Sequence, residues 1–180
     1  MLKLVQNLCA FLRGSIRSLG VSLFTRRIQI GKLARIFGGV SLRVSRQATL
    51  QIGKNFKIDS GALVSVLSDG KLLIGDNVAI GRSNMLVCHS NIQIGDGTIF
   101  APNVMVYDHD HVFDKENGVR KTEYKKAPVI IGKNCWIGAN TVILRGTELG
   151  DNCVVGAGCV LKGKFAAGSV IVQKREIVIK

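Results

Sequence analysis

Along the C-terminal third of the chain an aliphatic or small residue falls at every sixth position: Ile131, Ile137, Ile143, Leu149, Val155, Leu161 and Ala167. Glycine follows directly at Gly132, Gly138, Gly150, Gly156 and Gly168, and a small or compact residue comes four places after the aliphatic at Cys135, Thr141, Thr147, Cys153 and Cys159. A period of six suits neither a helix of 3.6 residues per turn nor a long flat strand with its period of two. It suits a triangular prism in which each hexad forms one side, the aliphatic points to the axis and glycine helps the chain round the corner. Interrupted sets with the same spacing occur upstream at Ile30, Ile36 and Leu42; Ile52, Ile58 and Val64; Ile74, Ile80 and Leu86; and Ile94, Phe100 and Val106. Three hexads make one coil, so residues 18 apart should stack, Cys135 over Cys153 among them.

Composition agrees with a narrow solenoid. Of 180 residues 47% are hydrophobic, which excludes a disordered chain, while only 6% are aromatic, as expected of a prism with little room for rings. Twenty-one glycines stand against 2 prolines with no Gly-X-Y period, so a collagen-like chain is also excluded. Five cysteines (Cys9, Cys88, Cys135, Cys153, Cys159) are odd in number and lack a C-x-x-C spacing, and they read as small reduced core residues.

The net charge of +13 is unevenly placed. Residues 1–50 carry nine basic side chains and no acid, the first carboxylate being Asp59. Such a surface attracts polyanions such as anionic lipid or a phosphorylated glycan. Only Phe11, Phe24 and Phe37 lie among these cations, too few to make a stacking platform, so nucleic acid is not an expected partner. Residues 1–27 form a separate segment in which Leu2, Val5, Leu8, Leu12, Ile16 and Leu19 recur at helical spacing. This predicts a short basic amphipathic helix that caps the open first coil, rests on an anionic membrane surface, or does both. Arg13 and Arg17 interrupt it, no run reaches membrane-spanning length, and a cytoplasmic protein is expected, peripheral at the inner membrane face at most. The repeat domain is read as residues 28–171, followed by a tail at 172–180.

One insertion, residues 107–128, breaks the prism and concentrates titratable groups, including His109 and His111. A long polar insertion in a regular solenoid is more often functional than connective.

The hexads resemble the hexapeptide-repeat family, which implies a left-handed parallel β-helix, a handedness taken from the resemblance alone. The stretch from Ile94 to Asp114, with Ala101-Pro102 leading through Tyr107 to His111, is similar to the maltose and galactoside O-acetyltransferases of that family. The resemblance implies a homotrimer with active sites between subunits, acetyl-CoA as co-substrate, no metal, and a sugar or lipid-linked glycan as acceptor. It places the catalytic base at His111, with Glu123 or a neighbouring Asp to orient it. Asn84, Asp114 and His109 become acceptor-side candidates. Gly138, Ala139, Ala157 and Gly158 would line the pantetheine arm, with Lys162 and Lys164 meeting the phosphates. Neutral imidazole suits such a reaction because it can take the hydroxyl proton as the oxygen attacks the thioester. Two other readings stay open. One is a γ-carbonic-anhydrase-like metalloenzyme using His89, His109 and His111, whose spacing does not resemble that branch; the other is a non-catalytic β-helical scaffold for anionic surfaces.

Overall fold

In a computed structural model the chain forms a parallel β-solenoid of triangular cross-section, described over residues 6–12 and 27–174. The first face stacks Ile28–Ile30, Thr49–Ile52, Lys71–Ile74, Asn91–Ile94, Val129–Ile131, Glu148–Leu149 and Lys164–Phe165. The second stacks Arg35–Ile36, Lys57–Ile58, Ala79–Ile80, Ile99–Phe100, Trp136–Ile137, Val154–Val155 and Val170–Ile171. The third stacks Ser41–Val44, Leu63–Val66, Met85–Cys88, Met105–Tyr107, Val142–Ile143 and Val160–Leu161. The chain therefore makes six full coils and two sides of a seventh.

Each residue of the six-residue unit has a distinct physical task. The aliphatic points to the axis and is buried, as at Ile58, Ile80, Ile137 and Ile143. The residue four places on fills the inside of the corner, as with Phe56, Val78, Thr98, Cys135 and Cys153. Between them lies a residue in the left-handed region, third after the aliphatic: Asn55 (φ 54), Asn77 (φ 59), Asn134 (φ 54), Asn152 (φ 60). Asparagine tolerates that conformation better than other side chains, and its backbone N–H reaches the coil before it, as in Asn77 N to Lys54 O at 2.9 Å.

The glycine directly after the aliphatic has a different role from the one expected. It does not turn the corner; it lets adjacent coils touch. A Cβ at Gly53 would meet the Gly75 carbonyl carbon at 2.6 Å, and one at Gly132 would meet the Asp151 backbone N at 2.6 Å. Carboxylates reinforce the same edge, since Lys54 N donates to Asp76 (2.8 Å), Asp76 N to Asp96 (2.9 Å) and Lys133 N to Asp151 (2.7 Å).

Coil length is not uniformly 18. Lys71 pairs with Thr49, 22 residues away, and with Asn91, 20 away, because the third corners of the early coils are longer. The 18-residue spacing holds where Trp136 faces Val154, so Cys135 lies over Cys153, and all five cysteines are free thiols. The last coil shortens again: Leu149 faces Phe165, so Phe165 rather than Ala167 takes the axial slot and Ala167 is exposed. Phe56 and Phe100 are also buried in the prism, which accommodates more aromatic volume than the composition suggested.

Of the N-terminal segment only Gln6–Leu12 is described, and it is helical. Gln6 and Cys9 approach the flank of the first three coils at Phe37, Gly38, Asp59, Ser60 and Arg82, while Leu8 and Leu12 are 58% and 50% exposed. This turn lies against the side of the prism with its leucines outward; Leu2, Val5, Ile16 and Leu19, on which the expected cap or membrane contact also rests, lie outside the described residues, as do residues 175–180.

If close approach of coils is what requires the glycine, Gly53→Ala should destabilise the fold by about 3 kcal/mol or more through overpacking against backbone. Gly118→Ala is the control, because its Cβ would meet nothing within 4 Å, and only its φ of +71° is strained, at a cost of about 1 kcal/mol. Thermal or denaturant unfolding of both variants checks the contrast.

Candidate active site

The insertion at residues 107–128 is not an irregular loop. It is an antiparallel hairpin, His109–Asp114 paired with Gly118–Lys126, rising from the corner where the third face passes to the first. Alternation along its strands gives it two functional sides. One presents His109, His111 and Tyr124 toward the preceding coil; the other presents Asp110, which pairs with Arg145 of the following coil. Lys126 pairs with Asp69 at 3.6 Å, and Ala127 N closes the root on Asp108 O at 3.0 Å.

The root is organised by Asp108, which the sequence reading passed over. Its side chain is fully buried and accepts the backbone N–H groups of His89 (2.8 Å) and Ser90 (2.6 Å), with the His109 Nδ1 at 3.1 Å. A carboxylate only accepts, so this contact makes Nδ1 the protonated nitrogen of neutral His109. Signals for Asp108 were present: it comes two residues after axial Val106, directly after the strand Met105–Tyr107, and the 20-residue register sets it beside Cys88. Burial, and then the Asp108 charge, push the Cys88 thiol up to about 12.

Three imidazoles gather round one phenol. The Tyr124 ring centroid lies 4.4 Å from that of His89, 5.2 Å from His109 and 4.8 Å from His111, and His89 and His109 are 4.1 Å apart. His89 is buried and His111 exposed. Burial holds the His89 imidazole below its ordinary value, His109, Lys126 and His111 add to this, and Asp108 opposes it. Its Nδ1 faces the Ser68 hydroxyl at 3.4 Å. Among the described residues no group of three or more His, Cys, Asp or Glu is arranged to hold a metal ion.

Several expected site residues have other work. Asn84 is 1% exposed, donates to Ala101 O at 3.0 Å and accepts from Val104 N at 2.8 Å. It fills the inner corner slot four places after Ile80, as Ala62 and Val104 do on the neighbouring coils, and so is closed to an acceptor. Asp114 ties the hairpin turn, accepting from Asn117 N at 2.6 Å and Glu116 N at 3.1 Å and pairing with Arg120 at 3.2 Å. Glu123 also pairs with Arg120, at 3.2 Å, so its carboxylate is engaged there and does not orient His111. The His111 Nδ1 instead has a long contact, 3.4 Å, to the Arg120 carbonyl.

The residues expected to line a coenzyme lie on a different edge. Gly138, Ala139, Ala157 and Gly158 occupy the corner between the second and third faces, whereas the hairpin rises between the third and the first. The Gly138 and Gly158 N–H groups are spent on Val155 O (2.8 Å) and Ala139 O (2.7 Å). Lys162 is on the hairpin's own corner, and Lys164 begins the first face, pairing with Glu148 at 3.0 Å. One chain does not bring the two groups together.

A buried neutral imidazole has a pH signature. Below the ordinary 6.5 the unfolded chain takes up a proton at His89 that the folded chain resists, so stability falls as pH drops through that value and is fully present above it. Asp96 and Asp114, held low mainly by backbone N–H donors, add stability that is lost only as pH falls below their ordinary 3.8. Unfolding measured from about pH 7.5 to 5 should therefore show an acid limb that is shallower in His89→Gln.

A family model described as the hexapeptide repeat of succinyl-transferase matches residues 128–162. The chain is 37% identical over 92 residues to the galactoside O-acetyltransferase of Escherichia coli, covering 47% of this chain and 44% of that one. It is 28% identical over 112 residues to an Escherichia coli O-acetyl transferase assigned to lipopolysaccharide biosynthesis, covering 58% and 57%. The chain thus spans about half the length of the curated relatives it matches. Among solved structures, an N-acyltransferase from Bacillus cereus, AntD, in complex with dTDP and coenzyme A superposes with a TM-score of 0.70 at 22% identity, over 86% of this chain and 84% of that one. Repeat, solenoid and matches agree on the fold, a left-handed parallel β-helix, and residues 128–162 carry the hexapeptide repeat that the family model describes.

Proposed function

We propose that the protein is an acetyl-CoA-dependent O-acetyltransferase that modifies a sugar hydroxyl during assembly of a surface polysaccharide, working as a homotrimer in the cytoplasm. The observation that carries this reading is the hairpin, which mounts the exposed His111 imidazole on a strand anchored from both sides at its root. The matches to O-acetyltransferases of sugars support the reaction class, and the relative assigned to lipopolysaccharide biosynthesis supports the setting. A basic N-terminal segment suits an acceptor carried on a lipid phosphate at an anionic membrane surface.

In this reading His111 is the base. Its Nδ1 faces the Arg120 carbonyl, which only accepts, so the proton sits on Nδ1 and Nε2 is left to receive. Nε2 takes the hydroxyl proton as the sugar oxygen bonds to the thioester carbonyl carbon. The C–S bond then breaks, and the imidazolium returns the proton to the departing thiolate, giving the sugar ester and free coenzyme A. Holding both substrates together supplies much of the rate, so no acyl-enzyme is needed. The coenzyme lies along Gly138, Ala139, Ala157 and Gly158 of a neighbouring subunit, because in one chain these residues and His111 are on different corners. A backbone N–H at that corner serves the oxyanion, and Lys162 and Lys164 take the phosphates.

His111→Ala should lower acetyl transfer to a sugar acceptor at least about 100-fold while leaving acetyl-CoA binding by calorimetry within about twofold. Unchanged turnover would reject His111 as the base.

A further inference from the structure

We propose that Asp108, His109 and Tyr124 are positioning residues that aim the His111 imidazole, with the buried Asp108 carboxylate as the fixed end of the chain of contacts. The proposal rests on the acetyl-transfer reading above and names what orients its base, a task the resemblance had suggested for Glu123 or a neighbouring Asp.

The fixed end is unusually well held. Both carboxylate oxygens of Asp108 are bound to backbone N–H groups of the preceding coil, at 2.8 and 2.6 Å, and its own carbonyl accepts the N–H of Ala127 at the far end of the insertion. The side chain is fully buried, so these bonds are not exchanged with water. Asp108 Oδ1 also meets His109 Nδ1 at 3.1 Å, which fixes that ring's tautomer and rotation. His109 stands edge-on to Tyr124, ring planes at 86° and centroids 5.2 Å apart, while His89 packs against both and closes the inner side. Tyr124 is the cross-strand neighbour of His111 and lies 4.8 Å from its ring. On its other side His111 is open to solvent and has the long Arg120 contact. The Tyr124 ring is therefore what sets where His111 points.

The contact is made by the ring and not by the phenol oxygen, since the Tyr124 hydroxyl donates to Lys121 O at 3.4 Å, away from the imidazoles. This separates positioning from proton transfer through tyrosine.

The test measures kcat and KM with acetyl-CoA and p-nitrophenyl β-galactoside for Asp108→Asn, His109→Ala, their double variant, Tyr124→Phe and Tyr124→Leu. Each of the first two, and Tyr124→Leu, should lower kcat roughly 10- to 100-fold with the KM for acetyl-CoA within about twofold, and the double variant should be no worse than the worse single one. Tyr124→Phe should behave as the parent protein. Additive losses in the double variant, or equal damage from Phe and Leu, would overturn the proposal. Because an amide at position 108 opposes two N–H donors and can loosen the hairpin root, the His109 and Tyr124 variants decide on their own. A readout without turnover is the His111 ring resonances by NMR, which should shift in His109→Ala and Tyr124→Leu as the adjacent ring moves. Shifted resonances with no acetyl transfer by the parent protein would reject the acetyl-transfer reading and leave the positioning geometry standing; unshifted resonances would overturn the positioning itself.

Discussion

Everything in this protein depends on coils touching backbone to backbone. Parallel strands stack about 4.8 Å apart, and wherever glycine follows the axial aliphatic on the first face it has no room for a Cβ. At Gly53, Gly75, Gly132 and Gly138 the next coil's backbone comes within 3 Å of where that atom would be. The turn itself is made two residues later by asparagine or glycine in the left-handed region. One position in the hexad is thus chosen for lack of volume and another for backbone freedom. Stacked carboxylates at Asp76, Asp96 and Asp151 accept the remaining N–H groups along the same edge.

The regular prism also decides where chemistry can be placed. Its interior is filled and its corners are consumed by inter-coil bonds, so a polar group inside the repeat is spent on the fold, as Asn84 shows. Titratable side chains that are to stay free of the fold must leave the repeat, and the hairpin after Tyr107 is where His111 does so. Its orientation is set by two carboxylates two residues apart, Asp108 holding the coil before and Asp110 the coil after through Arg145. Between them, His109 faces the imidazole cluster. In the proposed trimer the coenzyme corner of one chain meets the hairpin corner of another, which gives the separation of these groups in a single chain a reason.

The fold was legible because its period was. The axial aliphatics and the stacking of Cys135 on Cys153 follow from six-residue spacing alone. The register slip at Phe165 was not legible, because Ala167 satisfies the pattern while the short link through Gly163 carries Phe165 into the slot. The candidate site was legible as an insertion in the repeat and less so as an arrangement of side chains. Residues 107–128 announced themselves by interrupting the repeat, but Glu123 and Asp114 were carboxylates near a histidine in sequence whose partner proved to be Arg120. Asn84 occupied the small-residue slot four after an aliphatic, a position that marks burial. Asp108 and His89 became neighbours only through the 20-residue register of those two coils.

A crystal structure with a non-hydrolysable acetyl-CoA analogue tests the account most directly. The account predicts the analogue's carbonyl beside Nε2 of His111 from one chain, with its pantetheine arm along Gly138, Ala139, Ala157 and Gly158 of another. An analogue bound within a single chain, or one whose carbonyl lies away from the hairpin, would contradict it.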